Sequence, residues 1–326
     1  MQNFQIRALF NQRRKFIIVS FIFVFFIFSI ILLVHKNEKE MDESLIAGTK
    51  NVVLDETKQI NENISKYHPD SSWLKDNPQT LDITAKSAIV IDENTGKILY
   101  SKNEHESLAP ASITKIMTAI IAVENLEKNQ LCTVSEFAAN VEPNKIVIRA
   151  GEKLRTEDLL YGLMMISAND AAEVLAESID GKRETFIKRM NDKVRMLGLK
   201  DTVFKNPNGL DENEHLSSSY DIAVMTRYAI KNYPEILGYM GEKEDYSVYA
   251  TDYNESHWWS HISQLLYNYS GADGVKTGYT ENANHTLIAT AIRDNRRITI
   301  VYFGSTDSTG DAVKLLDFGF LVNPSV

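Results

Sequence analysis

The chain has 326 residues, 44% hydrophobic and 24% charged, with 15 Gly and 7 Pro; this ordinary globular composition excludes disorder, collagen-like repeats and a multi-span membrane protein. The net charge of −9 is uneven, because residues 1–36 hold Arg7, Arg13, Arg14, Lys15 and Lys36 with no acid, and the other 290 hold 30 basic and 44 acidic side chains. An acidic body lacks the clustered cations that phosphate contacts need, which argues against nucleic acid as a partner, and the single Cys132 excludes an internal disulfide framework or a multi-cysteine zinc site.

Phe16 to Val34 is apolar apart from Ser20 and Ser29, and as a helix would be about 28 Å long, close to the ~30 Å hydrocarbon core of a bilayer. Arg13, Arg14 and Lys15 directly before it predict a single-pass anchor, with residues 1–15 in the cytoplasm and the remainder outside the cell membrane. A secretory signal peptide is the competing reading. The run exceeds the usual ~7–15 residue apolar region and leads into Val34-His35-Lys36-Asn37 instead of a small-residue cleavage site, so an uncleaved anchor is favoured. Residues 35–80 are polar, lack sustained apolar periodicity and contain His68-Pro69-Asp70 and Asp76-Asn77-Pro78, the features of an extracytoplasmic stalk. Residues 81–326 are expected to form one compact domain, opening with a hairpin in which Ala88 to Asp92 and Lys97 to Ser101 flank Glu93-Asn94-Thr95-Gly96.

Three polar clusters follow in order. Ser112-Ile113-Thr114-Lys115 begins a predicted helix whose apolar positions Ile113, Ile116, Met117, Ile120 and Ile121 have helical spacing. Residues three apart share a helical face, so the Lys115 amine could activate the Ser112 hydroxyl if desolvation or a nearby cation lowers its proton affinity. A helix start also offers free N–H groups for an oxyanion. Taken alone, Ser112 reads more readily as a helix cap beside a surface lysine; Ser72-Trp73-Leu74-Lys75 has the same spacing, but it lies in the spacer with no helical run after it and is read as chance. Ser167-Ala168-Asn169 lies between a helix running to Met165 and another from Ala171 to Ile179, a turn that can present a hydroxyl as proton relay and an amide as donor and acceptor, or merely cap the second helix. Lys276-Thr277-Gly278 precedes the strand-like stretches Thr286 to Arg293 and Ile298 to Phe303. At a strand edge its ammonium and hydroxyl suit a substrate carboxylate, the glycine permits close backbone approach, and a peptide could align as an added strand; an exposed lysine in a turn is the alternative.

Ser-x-x-Lys, Ser-x-Asn and Lys-Thr-Gly in that order are the set shared by penicillin-binding proteins and class A β-lactamases. The chain resembles the low-molecular-weight penicillin-binding proteins that are D-alanyl-D-alanine carboxypeptidases, over most of residues 86–322. Further matching segments are Leu159-Leu160-Tyr161-Gly162-Leu163, Met190-Asn191 with Leu197-Gly198-Leu199, Phe204-Lys205-Asn206-Pro207-Asn208-Gly209-Leu210 with His215 and Tyr220-Asp221, and Gly271 through Thr280.

The resemblance implies a mixed α/β fold of the serine β-lactamase type, with an antiparallel-rich sheet flanked by helices and a helical cluster inserted between Ser112 and the Lys276 strand. It also implies an active site in which Ser112 attacks the penultimate D-Ala of a peptidoglycan stem peptide and Lys115 serves as base. Ser167 and Asn169 relay a proton and orient the substrate, Lys276, Thr277 and Gly278 bind its end, and the N–H groups of Ser112 and Tyr279 stabilise the oxyanion. β-Lactam antibiotics become covalent inhibitors; no cofactor or metal is required. Endopeptidase action on cross-links and a non-turnover β-lactam or muropeptide sensor are the alternatives. The chain departs from the family in having no Arg between Ser305 and Val313 and no Glu-x-x-Leu-Asn segment after Ser167. It is also expected to lack the β-rich domain and amphipathic tail of many relatives, with the N-terminal span supplying attachment. His257 and His261, four apart, lack the glutamate of a zinc-protease helix, and Trp258, Trp259, Tyr267 and Tyr269 read as core more than as a substrate wall.

Overall fold

The computed structural model describes residues 43–322. The expected tail and span at 1–34 lie outside them, and no helix among the described residues is long and apolar enough to cross a membrane. The chain divides after Lys58, inside the first helix, and the unit from Gln59 onward holds everything discussed below.

That helix, α1 (Glu43–Tyr67), and the short α2 (Ser72–Asp76) occupy the stretch expected to be a spacer. The missing apolar periodicity has a physical reason: the end of α1 is held largely by polar contacts. Asn63 Nδ2 donates to the Met196 carbonyl at 2.8 Å, the Tyr67 hydroxyl to Asn232 at 3.0 Å, and Arg227 Nε to the Tyr67 carbonyl at 2.9 Å.

The predicted hairpin is present as β1 (Ser87–Asp92) and β2 (Ile98–Lys102), with Gly96 at φ +74° in the turn. After a 3₁₀ turn at Ala111–Thr114 come α3 (Lys115–Asn125), β3 (Leu131–Thr133), the one-turn α4 (Glu136–Ala139) and β4 (Lys153–Arg155). Five helices follow: α5 (Thr156–Met165), α6 (Asn169–Asp180), α7 (Arg183–Met196), α8 (Ser219–Asn232) and α9 (Pro234–Gly241). The small hairpin β5 (Tyr246–Val248) and β6 (His257–Trp259) and the short α10 (Gln264–Asn268) lead into β7 (Ala272–Thr280), β8 (Asn284–Arg293), β9 (Arg296–Ser305) and α11 (Ser308–Leu321).

The main sheet is antiparallel in the order β2-β1-β9-β8-β7, so the first and last parts of the unit build one sheet and the helices from α3 to α9 are inserted between them. This is the mixed α/β architecture expected from the sequence. Alternate residues of a strand face opposite sides. Ile89, Ile91, Val301 and Phe303 enter the core shared with Ile116, Ile120, Leu159 and Leu163 of the helical cluster. Val90, Ile300 and Tyr302 enter a second core, under Leu315 and Leu316 of α11. Covering both faces explains why β1 and β9 read as near-continuous apolar runs, and it leaves β7 as a sheet edge beside the helical cluster.

Candidate active site

The three clusters meet where the 3₁₀ turn, the α5–α6 turn and β7 come together. Ile113, Ile116, Met117, Ile120 and Ile121 are fully buried, as are Thr118, Ala119 and Ala122, so α3 is anchored on all sides and holds Lys115 and the turn that carries Ser112 in place. The three-residue offset puts Lys115 Nζ 3.0 Å from Ser112 Oγ, and the amine also donates to Asn169 Oδ1 at 2.7 Å and to the Asn208 carbonyl at 2.5 Å. From the sheet side, Lys276 Nζ donates to Ser167 Oγ at 2.9 Å. Thr277 is half-buried and Tyr279 is exposed, its ring 4.9 Å from that of His285.

Both lysines are fully buried. Removal from water, with the Lys276 charge as a smaller cause, holds Lys115 well below the usual lysine range; burial pushes Lys276 down to about 7. Desolvation penalises the ammonium form, and this is how a lysine becomes a usable base near neutral pH. The decoy Ser72/Lys75 pair shows the contrast: both side chains are exposed and Ser72 bonds to Asp70 at 2.5 Å. Spacing alone therefore does not distinguish the two pairs; burial does.

Backbone strain accompanies both serine clusters. Ala111 has φ +49° and Ser167 φ +65°, left-handed conformations that cost a non-glycine residue of the order of 1–3 kcal/mol. Gly278 allows β7 to touch the nucleophile turn: a Cβ there would lie 2.8 Å from Ser112 N and 2.4 Å from Thr286 Oγ1, which itself bonds to the Pro110 carbonyl at 2.9 Å.

The sequence reading left several supports without a role. Residues 204–210 form a strap beneath Ser112 and Lys115. Asn191 holds both backbone groups of Phe204 at 2.8 and 3.0 Å, Thr118 donates to the Pro207 carbonyl at 2.6 Å, and Gly209, at φ +87°, lies against the Ala111 carbonyl. His215 accepts from Lys205 N–H through Nδ1 at 3.0 Å, which makes Nε2 the donor to Thr114 Oγ1 at 2.9 Å. Burial pushes its pKa down to about 4, keeping it neutral under the nucleophile turn. These residues belong to the segments that carried the family resemblance, but their partners are some ten to a hundred positions away, and no local pattern names them.

Asp170 is the second unpredicted support. Fully buried, it accepts from the N–H groups of Ile146, Val147 and Ile148 at 3.1, 3.0 and 3.5 Å, and so suspends the loop whose Pro143 and Asn144 carbonyls accept from Asn169. Asp170→Ala should cost about 2–4 kcal/mol of stability in urea denaturation, because it strips buried N–H groups of their acceptor.

The other motifs are placed elsewhere. His257 Nε2 faces Glu152 at 3.1 Å and His261 Nδ1 accepts from Ser263 N–H at 3.0 Å, so the two rings serve separate partners. Trp259 and Tyr269 are core residues, while Trp258 and Tyr267 are exposed. The stretch without arginine, Ser305 to Val313, joins β9 to α11; Asp311 in it accepts from Thr84, Ala85 and Ser305.

The sequence profile of the D-alanyl-D-alanine carboxypeptidase family, peptidase family S11, matches residues 74–307. The chain is 40% identical over 264 residues to D-alanyl-D-alanine carboxypeptidase DacF of Bacillus subtilis, covering 78% of this chain and 67% of that protein. It is 34% identical over 262 residues to DacD of Escherichia coli, covering 74% and 64%. The match thus spans about two thirds of these relatives' length. Among solved structures, the D-alanyl-D-alanine carboxypeptidase of Mycobacterium tuberculosis H37Rv superposes with a TM-score of 0.70 at 29% identity, over 76% of this chain and 94% of that one.

Proposed function

Since the chain belongs to the D-alanyl-D-alanine carboxypeptidase family of serine peptidases, we propose that it removes the terminal D-Ala from peptidoglycan stem peptides through an acyl-enzyme on Ser112. The observation that carries this reading is the hydrogen-bonded set of half-buried Ser112 with buried Lys115 and Asn169, facing buried Ser167 and Lys276 at the open sheet edge.

The neutral Lys115 amine takes the Ser112 proton as Oγ attacks the carbonyl carbon of the penultimate D-Ala. In this reading the oxyanion forms against the N–H groups of Ser112 and Tyr279, and the close approach of Gly278, the neighbour of Tyr279, to Ser112 N supports it. Collapse breaks the C–N bond. The proton held by Lys115 passes to the departing D-Ala nitrogen by way of the Ser167 hydroxyl, whose oxygen accepts from Lys276. Water then hydrolyses the ester by the reverse route. Lys276, as an ammonium, and Thr277 bind the terminal carboxylate without help from an arginine in Ser305–Val313. Penicillin enters as an acylating analogue. Slow deacylation of the penicilloyl ester is the expected outcome, supported by the lack of a Glu-x-x-Leu-Asn segment after Ser167 and by the engagement of Glu173, the first glutamate after it, with Asn208 and Arg183.

Two lysines with opposite requirements predict a bell-shaped profile for kcat/KM. Activity falls on the acid side as Lys115 gains a proton, and on the alkaline side from about 7 as free-enzyme Lys276 loses its own. In the complex the substrate carboxylate favours the ammonium, so the alkaline limb of kcat should lie higher than that of kcat/KM. Stopped assays of D-Ala release across pH check both limbs.

The apolar run at 16–34, preceded by Arg13, Arg14 and Lys15, supports placement at a bacterial cell membrane with the main unit outside. Carboxypeptidase and endopeptidase action share this chemistry and differ in leaving group. Full-length protein incubated with stem peptides ending in D-Ala-D-Ala and with cross-linked dimers should release free D-Ala; dimer cleavage without D-Ala would assign endopeptidase action, and labelling by penicillin without either product would assign a sensor.

A further inference from the structure

Glu173 lies on α6 one turn beyond Asn169, fully buried, and belongs to none of the three clusters. One carboxylate oxygen accepts from Asn208 Nδ2 at 2.7 Å and the other faces Arg183 Nε at 3.3 Å. The same Asn208 accepts from Leu210 N–H through its side-chain oxygen at 3.0 Å and turns its backbone carbonyl to Lys115 Nζ. The base thus rests on a carbonyl whose residue is held in turn by a buried carboxylate.

We propose that Glu173 is a positioning residue for Lys115, fixing the Asn208 carbonyl on which the amine rests and supplying the buried negative charge that offsets the cations around it. This rests on reading Lys115 as the base for Ser112. The charged groups facing Glu173 are Arg183 on α7, Glu177 on its own helix and Lys115 on α3. Those facing Lys115 are Lys276 on β7, Glu173 and Asp170 on α6, while His215 nearby is held neutral by burial. Of the two anions beside Lys115, Asp170 is committed to the 146–148 backbone; only Glu173 is linked to the amine through a single residue.

The signs are opposed. Lys276 lowers the proton affinity of Lys115 and Glu173 raises it. Without Glu173 the amine would be neutral at lower pH but weaker as a base, hence slower to take the Ser112 proton. Burial pushes the Glu173 carboxyl itself up to about 7, so its charge develops in the neutral range and the acid limb carries two interacting groups.

The test is the pH dependence of acylation of the full-length protein by a fluorescent penicillin. Glu173→Gln keeps an acceptor for Asn208 at nearly the same volume and removes the charge. It should move the acid limb down by about 0.5–1 pH unit and lower the plateau by about three- to tenfold. Glu173→Asp retains the charge and should bring the limb back toward the wild-type position. A purely structural role lowers the plateau and leaves the limb in place, so an unshifted limb in E173Q overturns the proposal; so does an E173Q chain that no longer folds, which would assign Glu173 to stability alone. Failure of the wild type to label, or equal labelling of Ser112→Ala, would instead refute the reading of Ser112 and Lys115 on which the proposal rests.

Discussion

Ser112→Ala is expected to abolish D-Ala release and covalent penicillin labelling together, with a loss of about 10⁴-fold or more in kcat, the scale seen when a covalent nucleophile is deleted. The effect should be confined to chemistry. Lys115 Nζ keeps its bonds to Asn169 and the Asn208 carbonyl, and Ser112 is only half-buried, so the stability change should stay within about 1 kcal/mol. Release of D-Ala and thermal melting, measured on the same preparation, separate the two. Retention of more than a trace of D-Ala release would mean that another nucleophile acts, and the proposed mechanism would fall.

That expectation depends on a site only partly legible in the sequence. The three clusters could be found because their chemistry is written in adjacent residues, and the helical period from Ile113 to Ile121 placed Ser112 and Lys115 at the start of a helix, although α3 is buried on every side from Lys115 to Ala122. The turn between α5 and α6 was equally plain, because helix periodicity stops on either side of Ser167. The sequence set Ser72/Lys75 aside because no helical run follows that pair, but it could not show the physical distinction, which is desolvation, a property of the folded environment. Nor could it show the strap at 204–210, the Asp170 clamp or the contact between Glu173 and Asn208, where polar side chains meet polar groups remote in sequence. The end of α1 escaped for a related reason: Asn63, Tyr67 and His68 dock largely through hydrogen bonds, which leave no hydrophobic period to read.

Gly278→Ala tests how closely the sheet edge must approach the nucleophile. The added methyl would sit 2.4 Å from Thr286 Oγ1, 2.8 Å from Ser112 N and 3.2 Å from Ala111 Cβ. Two of these neighbours belong to the turn that presents Ser112, and Thr286 is held by its bond to the Pro110 carbonyl at 2.9 Å, so no flexible side-chain end can move aside. Strand and turn must separate by some tenths of an ångström to about 1 Å, a displacement of the size that costs about 10²-fold in rate when it misaligns reacting groups. Ser112 N–H and Tyr279 N–H, the oxyanion donors of the proposed mechanism, belong to the turn and the strand that meet at this contact, so acylation should fall by about this factor while the fold survives. Gly209→Ala attacks the same turn from beneath, with a Cβ 2.0 Å from the Ala111 carbonyl and φ at +87°, and should lose stability as well as rate. Gly238 on α9 is the matched control: it is exposed and nothing lies within 4 Å of its added Cβ. Gly238→Ala should leave acylation unchanged and add about 0.5–1 kcal/mol through helix propensity. Penicillin acylation rates and melting curves for the three variants decide the matter, and wild-type acylation in Gly278→Ala would show that β7 does not form one wall of the site.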